Sequence, residues 1–274
     1  MTLTELEKKA CDIRADVVTL IHKAGCGHIG GDMSEVEALV ALYYKHLNCS
    51  PENEADPDRD RFVLSKGHSV ETLYCILADR GYFDKAELMD TYSAYGSRFI
   101  GHPNNKIPGV EMNSGPGPRP LGRGRHGEGR QDGWPGLPRL RRAGRRRLAE
   151  GSVWEGVMAG GHFKLDNLTA LVDRNRLQIS GSTEDVMRQD SQETRWAAFG
   201  WNVISIPGND MAAVDSALTL AKETKGKPTV IILNTTKGCG VSFMENLAVW
   251  HHKVMDDAQY ETAMAEIAER KASL

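Results

Sequence analysis

No stretch of this 274-residue chain approaches the roughly 18 uninterrupted apolar residues that a membrane-spanning helix needs. The opening Met1-Thr2-Leu3-Thr4-Glu5 lacks the basic-then-apolar form of an export signal, so a cytoplasmic protein is expected. Cysteine is scarce. Cys11, Cys26, Cys49, Cys75 and Cys239 are odd in number and never spaced as C-x-x-C, which disfavours both a disulfide framework and a zinc site. A strong net charge is also missing, since 34 Lys and Arg face 37 Asp and Glu for a balance of −3. That balance hides an asymmetry. Residues 115–147 hold ten arginines against Glu128 and Asp132, a local +8 that leaves −11 on the remainder.

With 40% apolar residues, the chain has material for one large core or two small ones. Thr4 to His22 places Leu6, Ala10, Ile13, Val17 and Leu20 on one face at helical spacing, with Thr4-x-x-Glu7 as a capping box. Ser34-x-x-Glu37 is expected to cap a second amphipathic helix whose buried stripe is Val36, Leu39, Val40, Tyr43 and Leu47. Short apolar runs at 61–65, 168–172, 203–206 and 229–233 read as buried strands. Helical stretches near 153–164, 191–199 and 210–224 lie between them, so the pattern is α/β, a parallel sheet with helices on both faces. Ligands of such sheets bind beyond the carboxyl ends of the strands.

Residues 116–147 break the pattern. They carry five of the eleven prolines, eight glycines and no run of three apolar residues, so the segment is expected to be irregular. On composition alone it reads as an Arg/Gly linker.

Histidine stands in loop contexts at Gly27-His28-Ile-Gly30, Lys66-Gly67-His68-Ser69, Gly101-His102-Pro103 and Trp250-His251-His252. Loop histidines after strands suit proton transfer or phosphate contact, and each one alone equally suits a solvated or capping role. Glu150 and Glu155 flank Gly151-Ser152, but Ser152-x-x-Glu155 is also a capping box. Asn175 and the Leu177 carbonyl, two residues apart after the strand at 168–172, suit a hard cation carried with phosphate.

Longer motifs join these positions: Lys23-Ala-Gly-Cys-Gly-His-Ile-Gly30, Leu64-Ser-Lys-Gly-His68, Gly101-His-Pro103 with Pro108-Gly-Val-Glu-Met112, and Leu148-Ala-Glu-Gly-Ser-Val-Trp-Glu-Gly156. Asp166-Asn-Leu-Thr-Ala-Leu-Val-Asp-Arg-Asn-Arg-Leu177 and Lys237-Gly-Cys-Gly-Val-Ser-Phe-Met-Glu-Asn246 follow. Together they resemble the N-terminal, diphosphate-binding half of transketolase over nearly the whole chain apart from 116–147. The length resembles the family's split form, in which a second subunit supplies the pyrimidine-binding and C-terminal domains. The resemblance implies the thiamine diphosphate-binding fold as one domain over 1–274, and transfer of a two-carbon ketol unit between sugar phosphates. It implies thiamine diphosphate with Mg²⁺ or Ca²⁺, and a homodimer of heterodimers with the C-terminal subunit.

By the same resemblance, His28, His68, His102 and His251 are channel histidines that contact donor-substrate oxygens, the diphosphate or the reacting hydroxyl. His251 is preferred to His252 because it directly follows Trp250. Glu150 and Glu155 link the two distant active sites of the dimer. His68, Gly115, Gly151, Asn175 and His251 contact the cofactor, and Asn175 with the Leu177 carbonyl holds the cation.

After Gly115 the family continues with a turn of the type Gly-(Ala/Pro)-Leu-Gly-(His/Gln)-Gly, an apolar helix, and a strand ending in Gly-Asp-Gly whose Asp is a metal ligand. This chain reads Gly115-Pro-Gly-Pro-Arg-Pro120 and Gly144-Arg-Arg-Arg147 instead. The codons GGC GCC CTG GGC CAC GGC CTG, for Gly-Ala-Leu-Gly-His-Gly-Leu, give Gly-Pro-Gly-Pro-Arg-Pro once two bases leave the second codon. Codons for Tyr-Val-Val-Leu-Gly-Asp-Gly-Glu, read in the shifted frame, give Arg-Arg-Ala-Gly-Arg-Arg-Arg, which is residues 141–147. A compensated frameshift over 116–147 is therefore expected, with Arg145 where the metal-binding Asp belongs and cofactor binding impaired. Three alternatives stand beside this reading. One is a related thiamine diphosphate enzyme such as deoxyxylulose phosphate synthase or dihydroxyacetone synthase. Another is nucleic-acid binding through the Arg/Gly segment, which is not expected because Trp134 is its only aromatic for stacking. The third is a non-catalytic subunit that still docks its partner.

Overall fold

In the computed structural model, residues 1–113, 148–189 and 191–274 are described, together with the backbone of 139–144. Helix α1 (Leu3–Ala24) starts at Thr2, whose hydroxyl accepts from the Glu5 amide while Glu5 accepts from the Thr2 amide. The capping box therefore sits two residues before the expected Thr4 and Glu7. A cap needs extended backbone, and Thr4 already lies in the first helical turn. Gly25 ends the helix at φ +66°, a left-handed conformation that costs glycine nothing.

Short helices α2 (Ile29–Met33) and α3 (Val36–Ala41) follow almost end to end. The expected Ser34 and Glu37 cap is absent. Ser34 donates instead to the Gly31 carbonyl and to Asp173, and Glu37 is drawn to Arg14 at 2.5 Å. The chain continues through β1 (Arg61–Leu64), α4 (Val70–Asp79), α5 (Lys85–Thr91), β2 (Arg139–Gly144), α6 (Gly151–His162) and β3 (Leu168–Asp173). Next come the small hairpin β4 (Leu177–Gln178) and β5 (Gly181–Ser182), α7 (Thr183–Val186), α8 (Gln192–Ala198), β6 (Asn202–Pro207), α9 (Met211–Glu223), β7 (Thr229–Asn234) and α10 (Asp257–Ala272). The main sheet has the order β1-β2-β3-β7-β6 and every pairing is parallel.

One expectation fails here. The segment 116–147 is not irregular throughout, because Arg139–Gly144 forms strand β2, paired with β1 on one side and β3 on the other. The physical reason is that a parallel ladder is made by main-chain groups. Strands β1 and β3 both present unpaired N–H and C=O groups to the gap between them, and 139–144 holds no proline to remove a donor. Side-chain composition therefore did not decide this strand.

Both faces of the sheet are covered. Leu171, Ile231 and Leu233 pack with α1, α3, α4 and α9, whereas Ala170, Val172, Val230 and Ile232 pack with Val153, Val157, Trp196 and Trp201 on the other side. Strict alternation along β3 and β7 thus splits one apolar run between two cores, as expected of parallel strands buried on both faces. Among the described residues no helix is long and apolar enough to cross a membrane.

Candidate active site

Three strand ends deliver the chemistry to one edge of the sheet. The chain leaving β1 carries Lys66 and His68, the chain leaving β3 carries Asn175, and the chain leaving β7 carries Lys237. His28 arrives from the turn between α1 and α2, His102 from the loop after α5, and His251 from a short 3-10 turn, Ala248–His251. Their rings converge. The His28 ring centre lies 5.3 Å from His68, 5.6 Å from His251 and 6.4 Å from His102, and His68 lies 5.1 Å from His251. His252, set aside on sequence, is exposed but stands 4.4 Å from His28.

A buried ionic network lies beneath the histidines. The Lys66 ammonium donates to Asp173 and to the Gly31 carbonyl, each at 2.6 Å, and reaches Ser34 and Glu35 at 3.3 Å. Asp173, wholly buried at the end of β3, also accepts from Ser34 at 2.7 Å, from the Asn175 amide at 3.3 Å and from the Thr235 hydroxyl. Two glycines let the backbone in. A Cβ at Gly30 would stand 2.7 Å from the Trp250 carbonyl, and one at Gly31 would stand 2.7 Å from the Ser69 hydroxyl.

Lys237 differs from Lys66. It is 1% exposed, its side chain runs against Gly30, and its one hydrogen-bond partner among the described residues is His251 Nδ1 at 3.2 Å. Burial and the nearby Lys66 lower its ammonium to about 8. A buried cation facing another cation, with no described carboxylate bonded to it, favours an anion in the cleft.

The same field acts on the histidines. Burial first and Lys66 second push His68 down to about 2, and burial followed by Lys237 pushes His251 down to about 3. Both rings are therefore neutral when folded and gain a proton on unfolding below about pH 6.5. The unfolded chain binds more protons in that window, so stability is present above about pH 6.5 and is lost as the pH falls toward 3. Urea unfolding at about pH 5 should show a loss of about 1–2 kcal/mol per histidine relative to pH 7, and His68→Gln should flatten this acid limb. The comparison isolates the histidine from Asp32, whose carboxyl is raised by burial and acts in the opposite direction. An identical acid limb in His68→Gln would count against a neutral, buried His68.

The remaining expected residues are more dispersed. Asn175 makes a tight turn, its side-chain oxygen accepting from the Leu177 amide at 3.2 Å. Glu150 is the residue before α6, and Glu155 is exposed on that helix, which packs on the opposite face of the sheet in the Trp196 core. The Ser152 and Glu155 capping box is not formed, because Ser152 lies inside the helix and Glu150 occupies the cap position. Gly151 has open space where a Cβ would go. Gly115 and Arg145 lie outside the described residues.

Sequence reasoning missed Lys66, Lys237 and Asp173, although all three stand inside the quoted motifs. The available signal was a lysine beside Gly-His or Gly-Cys-Gly at a strand end, where burial turns an ordinary charge into an anion-binding one. The residues present fit a diphosphate, since the Lys237 ammonium with no described carboxylate bonded to it, the glycines at 30 and 31 and the neutral imidazoles of His68 and His251 lie together. The described oxygen donors near Asn175 are neutral, apart from an Asp173 already held by Lys66, and by themselves do not make a divalent-cation cage.

Comparison with known proteins resolves the family. The family model for the transketolase, thiamine diphosphate binding domain, matches residues 6–126 and 142–268. The chain belongs to this family. The transketolase match is interrupted within the Arg/Gly-rich segment. An apulose-4-phosphate transketolase subunit of Phocaeicola vulgatus is 41% identical over 278 residues, covering 98% of this chain and 96% of that protein. A 6-deoxy-6-sulfo-D-fructose transketolase subunit of Clostridium sp. strain MSTE9 is 36% identical, with 98% of each covered. The solved transketolase of Campylobacter jejuni superposes with a TM-score of 0.85 at 26% identity over 96% of this chain. This chain spans only 43% of that longer one.

Proposed function

We propose that this chain is the N-terminal, diphosphate-binding subunit of a two-subunit transketolase that acts on ketose phosphates with a separate C-terminal subunit, and that the chain as written is inactive. The observation that carries the reading is the buried Lys237 ammonium, which has no carboxylate bonded to it among the described residues and stands beside a cluster of neutral histidines. Near-complete coverage in both directions with relatives that are themselves named as transketolase subunits supports a separate polypeptide, and one of them is named for apulose 4-phosphate. The same reading makes the chain a single cytoplasmic domain interrupted at 116–147, assembled as a homodimer of heterodimers.

Thiamine diphosphate, when bound, supplies the carbanion chemistry that breaks and re-forms the ketose carbon–carbon bond. The chain's own residues hold it and handle protons. Lys237 would balance part of the diphosphate charge, and His68 and His251 would offer ring nitrogens to it. The neutral imidazoles of His68 and His251, with the His28 and His102 rings beside them, would accept from or donate to donor-sugar hydroxyls, which suits proton movement at neutral pH. Asn175 and the Leu177 carbonyl supply two of the oxygens for Mg²⁺, and Glu150 with Glu155 faces the partner. The frameshift over 116–147 removes the third, anionic ligand, and the break in the family match at 127–141 supports it.

The test pairs stability with binding. In the written chain, Lys237→Met removes a buried cation and should raise stability by about 1–2 kcal/mol in urea unfolding. In a frame-restored chain the same change should lower thiamine diphosphate affinity about a hundredfold and abolish ketol transfer measured with a C-terminal subunit. Unchanged affinity in that variant would refute the diphosphate reading.

A further inference from the structure

Behind His28 stand two carboxyl groups to which the proposed reaction gives no task. Glu71, in the first turn of α4, is wholly buried. Its Oε1 accepts from the His28 amide at 3.2 Å and from the Tyr92 hydroxyl at 2.7 Å, and lies 3.9 Å from His28 Nδ1. Asp32, on α2 one turn beyond His28, is also wholly buried, and its Oδ1 accepts from the Thr72 amide at 2.9 Å and the Thr72 hydroxyl at 3.0 Å. Three buried atoms here have no hydrogen-bond partner among the described residues: His28 Nδ1, Glu71 Oε2 and Asp32 Oδ2. Leaving several such atoms unsatisfied in one place is costly, so a proton arrangement that serves them is expected.

Two neighbouring carboxylates in low dielectric cannot both ionise freely. Burial is the first cause that raises the Asp32 carboxyl, with the Glu71 and Glu35 charges next, against the Thr72 amide and Lys66. Asp32 therefore holds a proton more firmly than a free carboxyl does. Glu71 is also pressed against the turn that presents His28, since a Cβ on Gly27, at φ +151°, would meet Glu71 Oε1 at 2.9 Å. The carboxylate thus touches the backbone of His28 and faces one edge of its ring. An orienting carboxylate of this kind holds a proton on the near ring nitrogen and leaves the far one as acceptor.

We infer that Glu71 is a positioning residue for His28: it fixes the imidazole as the Nδ1–H tautomer and leaves Nε2 as a proton acceptor. Tyr92 fixes Glu71 in turn through its hydroxyl. The inference builds on the reading that His28 lines the substrate channel, but its test does not depend on activity.

The full chain labelled with ¹⁵N-histidine is measured by long-range ¹H–¹⁵N correlation above the ordinary titration range of histidine. His28→Gln assigns the signal. The expected spectrum has Nδ1 protonated and Nε2 bare at His28. Glu71→Gln, which keeps an oxygen for the His28 amide and Tyr92, should return His28 toward the Nε2–H form that free imidazole favours. Asp32→Asn, a neutral replacement for a protonated acid, should leave Nδ1–H in place. An Nε2–H His28 in the unsubstituted chain overturns the inference, whether or not the variants fold. So does an unchanged tautomer in Glu71→Gln or a changed one in Asp32→Asn. In a frame-restored, partnered enzyme, Glu71→Gln should reduce kcat about tenfold with little change in KM. A tautomer change with unaltered turnover supports the positioning and counts instead against the channel role of His28.

Discussion

Replacing Lys66 with methionine is expected to cost the fold about 3–5 kcal/mol, read as a large drop in the urea midpoint. Lys66 is 4% exposed, and its ammonium meets Asp173, Glu35, the Gly31 carbonyl and Ser34 together. Methionine keeps the length of the stem and its packing, so the loss is not a cavity effect. What remains is worse than a lost bond. Asp173 and Glu35, both wholly buried, would lose the ammonium that bridges them. Asp173 would retain its Ser34, Asn175 and Thr235 donors, which moderate the penalty without replacing a counter-charge. The double variant Lys66→Met with Asp173→Asn should therefore recover a substantial part of the loss, because the carboxylate that bonds the ammonium at 2.6 Å goes with it. A single-variant loss below about 1 kcal/mol would mean that the network is hydrated rather than buried.

This network was not legible in the sequence, and the reason is spatial. Lys66, Glu35, Ser34 and Asp173 come from three separate segments, and only the parallel order of β1, β2 and β3 brings them together. The sequence showed what is local or periodic. Strands at 61–64, 168–173, 202–207 and 229–234 lie where short apolar runs stood between polar or glycine punctuation. Four histidines in loop motifs do converge, because strand-end loops of an α/β sheet share one edge. Capping was misread twice near the start, at Thr4 and at Ser34, because a serine or threonine three residues before a glutamate fits several registers and tertiary partners choose among them. Strand β2 was missed for the opposite reason. Its residues look unlike a buried strand, but its place is fixed by two ready-made neighbours and by main-chain bonds that ignore side-chain type.

The largest expected functional effect follows from that strand. As written, the chain should bind thiamine diphosphate and Mg²⁺ weakly or not at all and should show no ketol transfer with a competent C-terminal subunit. The described residues supply the Lys237 ammonium for the diphosphate, but the oxygens of Asn175 and Leu177 are neutral, and a divalent cation needs carboxylate charge close by. By the resemblance, the family's anionic ligand would fall where the sequence has Arg145, followed by Arg146 and Arg147. Restoring the frame over 116–147 should bring back Mg²⁺-dependent binding in calorimetric titration, and turnover with it. Arg145→Asp alone should not. The backbone ladder of 139–144 already stands between β1 and β3, so strand formation is not what this variant lacks. It would instead place one carboxylate beside two arginines, after a segment that still departs from the family's turn and helix, and the adjacent charge would compete with the cation for that carboxylate. Titration of the three chains separates the possibilities, and DNA sequencing across the segment checks the frame itself. Tight Mg²⁺-dependent binding by the unmodified chain would overturn the frameshift argument, because the written residues would then be sufficient to clamp the metal.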